Sequence, residues 1–116
     1  MSKTKIPNPL ARRHLLEREL GAPAALALAE TYLAEGRREE ALLFLDKAGA
    51  SERLDDMAEE AIRDGDAFLL RAVADVTGCE PDPDAWERLA QAAEAAGKLQ
   101  YAATARRQAG RIDSSQ

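Results

Sequence analysis

The sequence predicts an all-α protein, and three observations carry that prediction. Of the 116 residues, 46% are hydrophobic but only 4% are aromatic, and most of the apolar residues are Ala and Leu, which favour helices. No segment alternates apolar and polar residues over the length of a strand. Apolar residues recur instead at helical spacing between glycines. A chain of this length suits one domain with one continuous core.

The N-terminal segment is predicted to be a short arm followed by a basic helix. Residues 1–7 show no apolar periodicity and are expected to form the arm. Asn8 and Pro9 are a favourable helix start, because an Asn side chain caps the first turn and Pro fits the first helical position. We therefore predict a helix over residues 9–20. It offers a candidate docking element for another protein, made of Arg12, Arg13 and Leu16.

Charge is distributed unevenly along the chain. The net charge is −5, from 21 acidic and 16 basic residues, and since residues 1–20 carry +3, the remainder carries −8. An acidic chain repels phosphate groups, so general nucleic-acid binding is not expected. The sequence shows neither a signal-peptide pattern nor the apolar run of about 20 residues that a membrane helix needs. We therefore expect a cytoplasmic protein that does not bind membranes.

Six more helices are predicted, each bounded by glycine or proline. Gly36 separates the first two, and apolar residues lie at spacings of three and four in both. Tyr32 and Phe44 belong to these apolar faces and are predicted core residues. In the fourth of the six helices, Phe68 is assigned to the inward face. The predicted ranges are 23–35, 38–48, 51–64, 66–77, 83–96 and 99–110, with a polar tail over 111–116.

An internal repeat relates the first and last helix pairs at a constant offset of 61 residues. The breakers Gly36, Gly65 and Gly97 lie 29 and 32 residues apart, which indicates a helical repeat. The two copies read Ala25, Leu28, Ala29, Tyr32, Gly36, Ala41, Leu45 and Ala48 against Trp86, Leu89, Ala90, Ala93, Gly97, Ala102, Arg106 and Ala109. This pattern resembles the tetratricopeptide repeat, which pairs Trp, Leu and a small residue in its first helix with Ala and a large apolar residue in its second.

The resemblance implies a short right-handed superhelix of antiparallel helix pairs, with about seven helices in all. It covers about residues 22–110, preceded by the basic arm and helix over 1–21. The middle pair fits least well, because Leu70 stands where the repeat has Ala. A helical bundle with coincidental Ala and Gly spacing predicts the same helices and stays open as the alternative.

A binding surface also follows from the resemblance. In tetratricopeptide proteins, the first helices of successive pairs line a concave groove that binds a peptide or a helix. The residues that map to this groove are Leu26, Glu30, Leu33, Glu52, Asp55, Glu59, Ile62, Asp84, Glu87, Gln91 and Glu94. Such an acidic groove suits a basic amphipathic segment of another protein. The alternative is that these acids are the solvated faces of amphipathic helices.

The sequence offers no pattern typical of a catalytic, cofactor or metal site. His14 is the only histidine, and a zinc site needs at least two suitable ligands at fixed spacing. Cys79 is predicted to follow a helix C-terminus among acidic residues, which disfavours a thiolate. The carboxylate pairs in residues 55–60 lack the Glu-x-x-His partners of a di-metal bundle. We expect no enzyme activity, cofactor or metal ion.

The function expected from these observations is a non-enzymatic protein–protein interaction module, an adaptor or assembly factor. The alternative is an accessory or regulatory subunit of a larger enzyme complex, which docks through its basic N-terminal helix. Residues 1–20 are also expected to pack along the acidic helices, either within the chain or between two copies in a homodimer.

Overall fold

The computed structural model describes residues 8–17 and 21–114 of the chain. These residues form seven α-helices and no strand, which confirms the predicted all-α class. The chain divides into two compact units, Met1–Leu54 and Asp55–Gln116. The helices are α1 (Pro9–Glu17), α2 (Ala22–Ala34), α3 (Arg38–Lys47), α4 (Ser51–Asp64), α5 (Ala67–Thr77), α6 (Pro83–Ala95) and α7 (Leu99–Ser114).

Side-chain caps fix the start of three helices. Asn8, Asp66 and Asp82 each accept a hydrogen bond through Oδ1 from the backbone N–H three residues later, at 2.8, 3.0 and 2.8 Å. Such a cap satisfies one of the N–H groups that the first turn leaves without an intrahelical partner. The predicted cap at Asn8 is confirmed. The cap at Asp66 was not expected from the sequence, and it places the start of α5 at Ala67.

In the first unit, α2 and α3 pack against each other as a helical hairpin. Gly36 turns the chain with φ of +74°, a left-handed conformation that favours glycine, and Arg37 N–H donates to Tyr32 O at 2.9 Å. The rings of Tyr32 and Phe44 stack with centroids 5.4 Å apart, which confirms both as core residues. The buried side chains of the hairpin are Ala25, Leu28, Ala29, Tyr32, Ala41, Leu42, Phe44 and Leu45.

In the second unit, α6 and α7 form another hairpin, and α5 packs against both. Its turn repeats that of the first hairpin: Gly97 has φ of +76°, and Lys98 N–H donates to Ala93 O at 2.7 Å. These turn residues lie 61 positions after their counterparts in the first hairpin. The buried side chains of the three helices are Ala67, Leu69, Leu70, Val73, Ala74, Trp86, Leu89, Ala90, Ala93, Ala102 and Ala105.

Burial follows the internal repeat at most of its positions. The small residues Ala29 and Ala41 are fully buried in the first hairpin, and their counterparts Ala90 and Ala102 are buried in the second. Small side chains at these points let the two helices of a pair approach closely. The repeat breaks where Arg106 replaces Leu45, because the arginine is exposed on α7 while the leucine is fully buried.

Arg71 ties the helices of the second unit together. Its Nη2 and Nη1 donate to the two carboxylate oxygens of Glu80 at 2.6 and 2.8 Å, and its Nε donates to Asp75 at 3.1 Å. Nη1 also donates to Gln108 on α7 at 3.3 Å. The guanidinium carbon lies 5.8 Å from the centroid of the buried Trp86 ring. One side chain thus joins α5, the loop before α6, α6 and α7.

Two predictions about the helices are wrong. Phe68 is 63% exposed rather than inward, because the buried arc of α5 is centred on Leu70 and Val73, and Phe68 lies on the opposite side with Asp75. The last helix does not end at Gly110 but continues to Ser114. A glycine inside a helix costs only about 1 kcal/mol relative to alanine, which the rest of the helix can offset.

Some predictions fall outside the residues that the structure describes. These are the arm over 1–7, the end of the first helix at 18–20 and the last two residues of the tail. Within the described ranges, no helix combines the length and the apolar character needed to cross a membrane.

Candidate functional site

The predicted docking element on α1 is engaged within the first unit. α1 lies against α3, and Nη1 of Arg12 donates to Oε2 of Glu40. The same carboxylate accepts from Arg37, whose Nε lies 2.6 Å from Oε1. Arg13 is exposed, and the side chain of Leu16 lies outside the described residues.

The electrostatics of this contact centre on Glu40. The hydrogen bond from Arg37 lowers the pKa of Glu40, and Arg12 lowers that pKa further. The same hydrogen bond raises the pKa of Arg37, whose guanidinium lies 5.0 Å from the Tyr32 ring centroid. A single carboxylate therefore links α1 to the hairpin of α2 and α3. All these groups are solvent-accessible, so the link is of the weak surface type.

The first three predicted groove residues lie on α2. Leu26 is 39% exposed, and Leu33 is half-buried. Glu30 is exposed and pairs with Arg53 at 2.9 Å. This part of the predicted surface therefore combines one exposed apolar side chain with an ion pair.

Three of the five predicted acidic residues of the second unit have arginine partners. Glu59 on α4 pairs with Arg88 at 3.3 Å. Glu87 and Glu94 both pair with Arg106 from α7, the first of them at 3.5 Å. The hydrogen bond with Glu94 raises the pKa of Arg106. Three of these five carboxylates are therefore paired, two of them with the same arginine.

Asp55, like Asp84 in the first turn of α6, has no arginine partner among the described residues. The side chain of Asp55 is exposed. It lies on α4 one helical turn before Glu59, so the two carboxylates share a stripe of the helix surface.

A cleft of about 660 Å³ lies between α4 and α6. Its residues are Glu59, Ile62 and Arg63 from α4, and Arg88, Gln91 and Ala92 from α6. Ile62 is 6% exposed and forms part of its apolar floor. Among the predicted groove residues, Glu59, Ile62 and Gln91 thus meet in one place, and the cleft belongs entirely to the second unit.

The two helices that form the cleft run in the same direction. The contacts follow the same order along both helices. Glu59 lies beside Arg88, and Gly65, which directly follows α4, lies beside Ala93. At the C-terminal end of α4, Nζ of Lys98, which follows α6, donates to the backbone oxygen of Asp64 at 2.9 Å. Side chains of both helices line the same cleft, so charges on α4 and α6 can act on one ligand together.

The polar groups of the cleft are rich in unused hydrogen-bond donors. Arg63 is 75% exposed, and its Nε lies 3.9 Å from Oδ1 of its neighbour Asp64, a loose ion pair. Arg88 uses Nη2 alone for Glu59. Within the described part of the chain, the side-chain amide of Gln91 forms no hydrogen bond. Two guanidinium groups and one amide thus face a cleft that holds one carboxylate, Glu59.

Sequence reasoning missed Arg63, Arg88 and Ala92. Arg63 lies four residues after Glu59 and so on the same helix face, a spacing that the sequence displays. The position of Arg88 could not be found in this way, because its side chain enters the cleft through the packing of α6 beside α4.

Other chemistry-bearing residues stay apart from this cleft. Cys79 is exposed, and its backbone N–H donates to Thr77 Oγ1 at 3.2 Å. Within residues 8–17 and 21–114, no three His, Cys, Asp or Glu side chains are grouped so as to hold a metal ion. The side chain of His14 lies outside the described residues.

Comparison of the chain with protein-family models, with curated proteins and with solved structures finds no match. The tetratricopeptide resemblance therefore rests on the residues of this chain alone.

Proposed function

We propose that this chain is a non-enzymatic protein–protein interaction module built from tetratricopeptide-like helix pairs, an adaptor or assembly factor that acts in the cytoplasm. The observation that carries the proposal is the cleft between α4 and α6. It has an apolar floor at Ile62 and polar side chains on both walls, the arrangement that peptide-binding grooves use for affinity and specificity.

The partner is a protein segment with basic and apolar side chains. Asp55 and Glu59 support this choice, since they offer two carboxylates one turn apart on the exposed side of α4. Among the described residues, Glu59 pairs with Arg88 alone, and that pair is exposed. Exposed pairs of this kind contribute about 0–1 kcal/mol, so a cation of the partner can replace Arg88 at small cost.

A pair of charge reversals tests the proposal. The tagged full chain captures partners from a lysate of its native host, and the variant Asp55→Lys/Glu59→Lys is compared with wild type by quantitative mass spectrometry. We expect the variant to lose the partner. The matched control is Asp46→Lys, an exposed acid on α3 that does not line the cleft, which should retain it. Retention of every partner by the Asp55→Lys/Glu59→Lys variant would contradict the proposal.

A second candidate function is that of an accessory or regulatory subunit that docks through α1. The observation that favours it is Leu10, which is 68% exposed on α1, beside the basic residues Arg12 and Arg13. An apolar side chain flanked by arginines suits either another protein or a second copy of this chain. The variant Arg12→Glu/Arg13→Glu should then lose the partner while Asp55→Lys/Glu59→Lys retains it. Light scattering measures the molar mass of both variants and so tests whether the chain forms a homodimer.

A further inference from the structure

The charges around the cleft change sign along α4. Asp55, Glu59 and Arg63 follow one another at intervals of four residues, so they lie along one stripe of the helix. At a rise of 1.5 Å per residue, Asp55 and Arg63 are about 12 Å apart along the helix axis. Arg88 of α6 stands beside this stripe at Glu59. The acidic end of the surface therefore lies at Asp55, and the basic end lies at Arg63.

Helix dipoles explain only part of the basic end. Acids in first turns and bases in last turns complement helix dipoles, and that accounts for Arg63 in the last turn of α4. Arg88, however, is the sixth residue of α6 and lies in neither terminal turn. Its guanidinium lines the cleft beside Glu59 with most of its donors unused, so it can also bind an acidic group of a ligand.

We propose that the cleft selects a partner segment of mixed charge, in which a basic residue meets Asp55 and Glu59 and an acidic residue meets Arg63 and Arg88. This inference rests on the proposed function and specifies its ligand. The acidic residue supplies acceptors for the unused guanidinium and amide donors, including those of Gln91. A purely basic segment would place its second cation against two arginines, which is unfavourable.

The distance along α4 sets the spacing of the two charges in the partner. A helical segment spans about 12 Å in seven or eight residues, and an extended segment spans it in about four. Apolar residues between the charges meet Ile62 and Ala92 on the floor of the cleft. The ligand is thus a short amphipathic segment whose basic and acidic residues are separated by that interval.

Selection of random peptides tests this inference. The immobilised full chain is the bait for a phage library of random 16-residue peptides, and the recovered peptides are synthesised and titrated by isothermal calorimetry. We expect them to carry a base and an acid at the stated spacing. Asp55→Lys and Arg63→Glu should each weaken binding tenfold or more. The matched controls Asp46→Lys and Arg107→Glu, exposed residues outside the cleft, should change it less than twofold.

The outcomes separate the inference from the function on which it rests. If the selection recovers peptides of a single charge sign and their binding depends on the cleft residues, the mixed-charge inference is overturned. The proposal that the chain is an interaction module then still stands. Failure to enrich any peptide over an unrelated bait protein would overturn both. A peptide whose acidic residue is changed to a basic one should bind the Arg63→Glu variant, because the charge swap restores the opposite-charge pair. If this peptide fails to bind the variant, the inference is also overturned.

Discussion

Replacing Gly65 with alanine should destabilise the second unit far more than the same replacement at Gly97. Both glycines end a helix in the left-handed region, with φ of +69° and +76°. A Cβ atom at Gly65 would lie 2.5 Å from the Cα and 2.6 Å from the backbone nitrogen of Ala93, whereas a Cβ at Gly97 would meet nothing within 4 Å. Gly97→Ala is therefore the matched control for backbone conformation without the steric conflict.

The expected losses follow from these two effects. A left-handed backbone costs a non-glycine residue about 1–2 kcal/mol, and this cost applies to both variants. Overpacking against a backbone that cannot move freely adds about 1–3 kcal/mol at Gly65. We expect Gly97→Ala to lose about 1–2 kcal/mol of unfolding free energy, and Gly65→Ala about 2–5 kcal/mol.

Urea unfolding followed by tryptophan fluorescence measures both losses. Trp86 is the only tryptophan of the chain and is fully buried in α6, so its emission reports directly on the second unit. The two variants should differ in their unfolding midpoints at similar m-values. Equal losses for the two variants would refute the close approach of the α4 terminus to α6, on which the geometry of the cleft depends.

Three further predictions concern the second unit, each measured by the same urea unfolding. Arg71→Met should cost about 1 kcal/mol, because it removes partly exposed hydrogen bonds. The hydrogen bond from Arg71 lowers the pKa of Glu80 below its ordinary 4.5. The pair therefore stabilises the fold above that pH, and this stabilisation is lost as the pH falls through the lowered pKa. If Arg71→Met showed the same slope of stability against pH on the acid side as wild type, that would contradict this prediction. Asp82→Ala should cost about 1 kcal/mol through the lost cap, and an unchanged midpoint would argue against that cap. Phe68→Ser should change stability by less than about 0.5 kcal/mol because its side chain is exposed, whereas a loss of several kcal/mol would restore the inward assignment.

The helices could be predicted because their limits depend on local chemistry. Asn8 and Asp82 cap the residues that follow them, and Gly36 and Gly97 end helices through a backbone conformation that few other residues adopt. The burial of Tyr32 followed from apolar spacing on a single helix. Each of these features is determined within a few residues along the chain, which is the range that sequence patterns describe.

The composition of the cleft depended on contacts that the sequence does not display. Acidic residues on the first helices of successive pairs predicted an acidic groove. Glu87 and Glu94, however, pair with Arg106 from another helix, and Glu59 pairs with Arg88. The partners lie 12 to 29 residues away along the chain, so only helix packing brings them together. Phe68 was misplaced for a related reason, because the neighbours of α5 decide which side of that helix is buried.

Photo-crosslinking from the cleft tests the central claim most directly. A photoreactive amino acid replaces Gln91 in the cleft, or Gln100, an exposed residue on α7 outside it, and the chain is irradiated in its native host. We predict covalent adducts with a partner protein from position 91 and none from position 100. Adducts from position 100 alone, or from neither position, would contradict a binding site between α4 and α6.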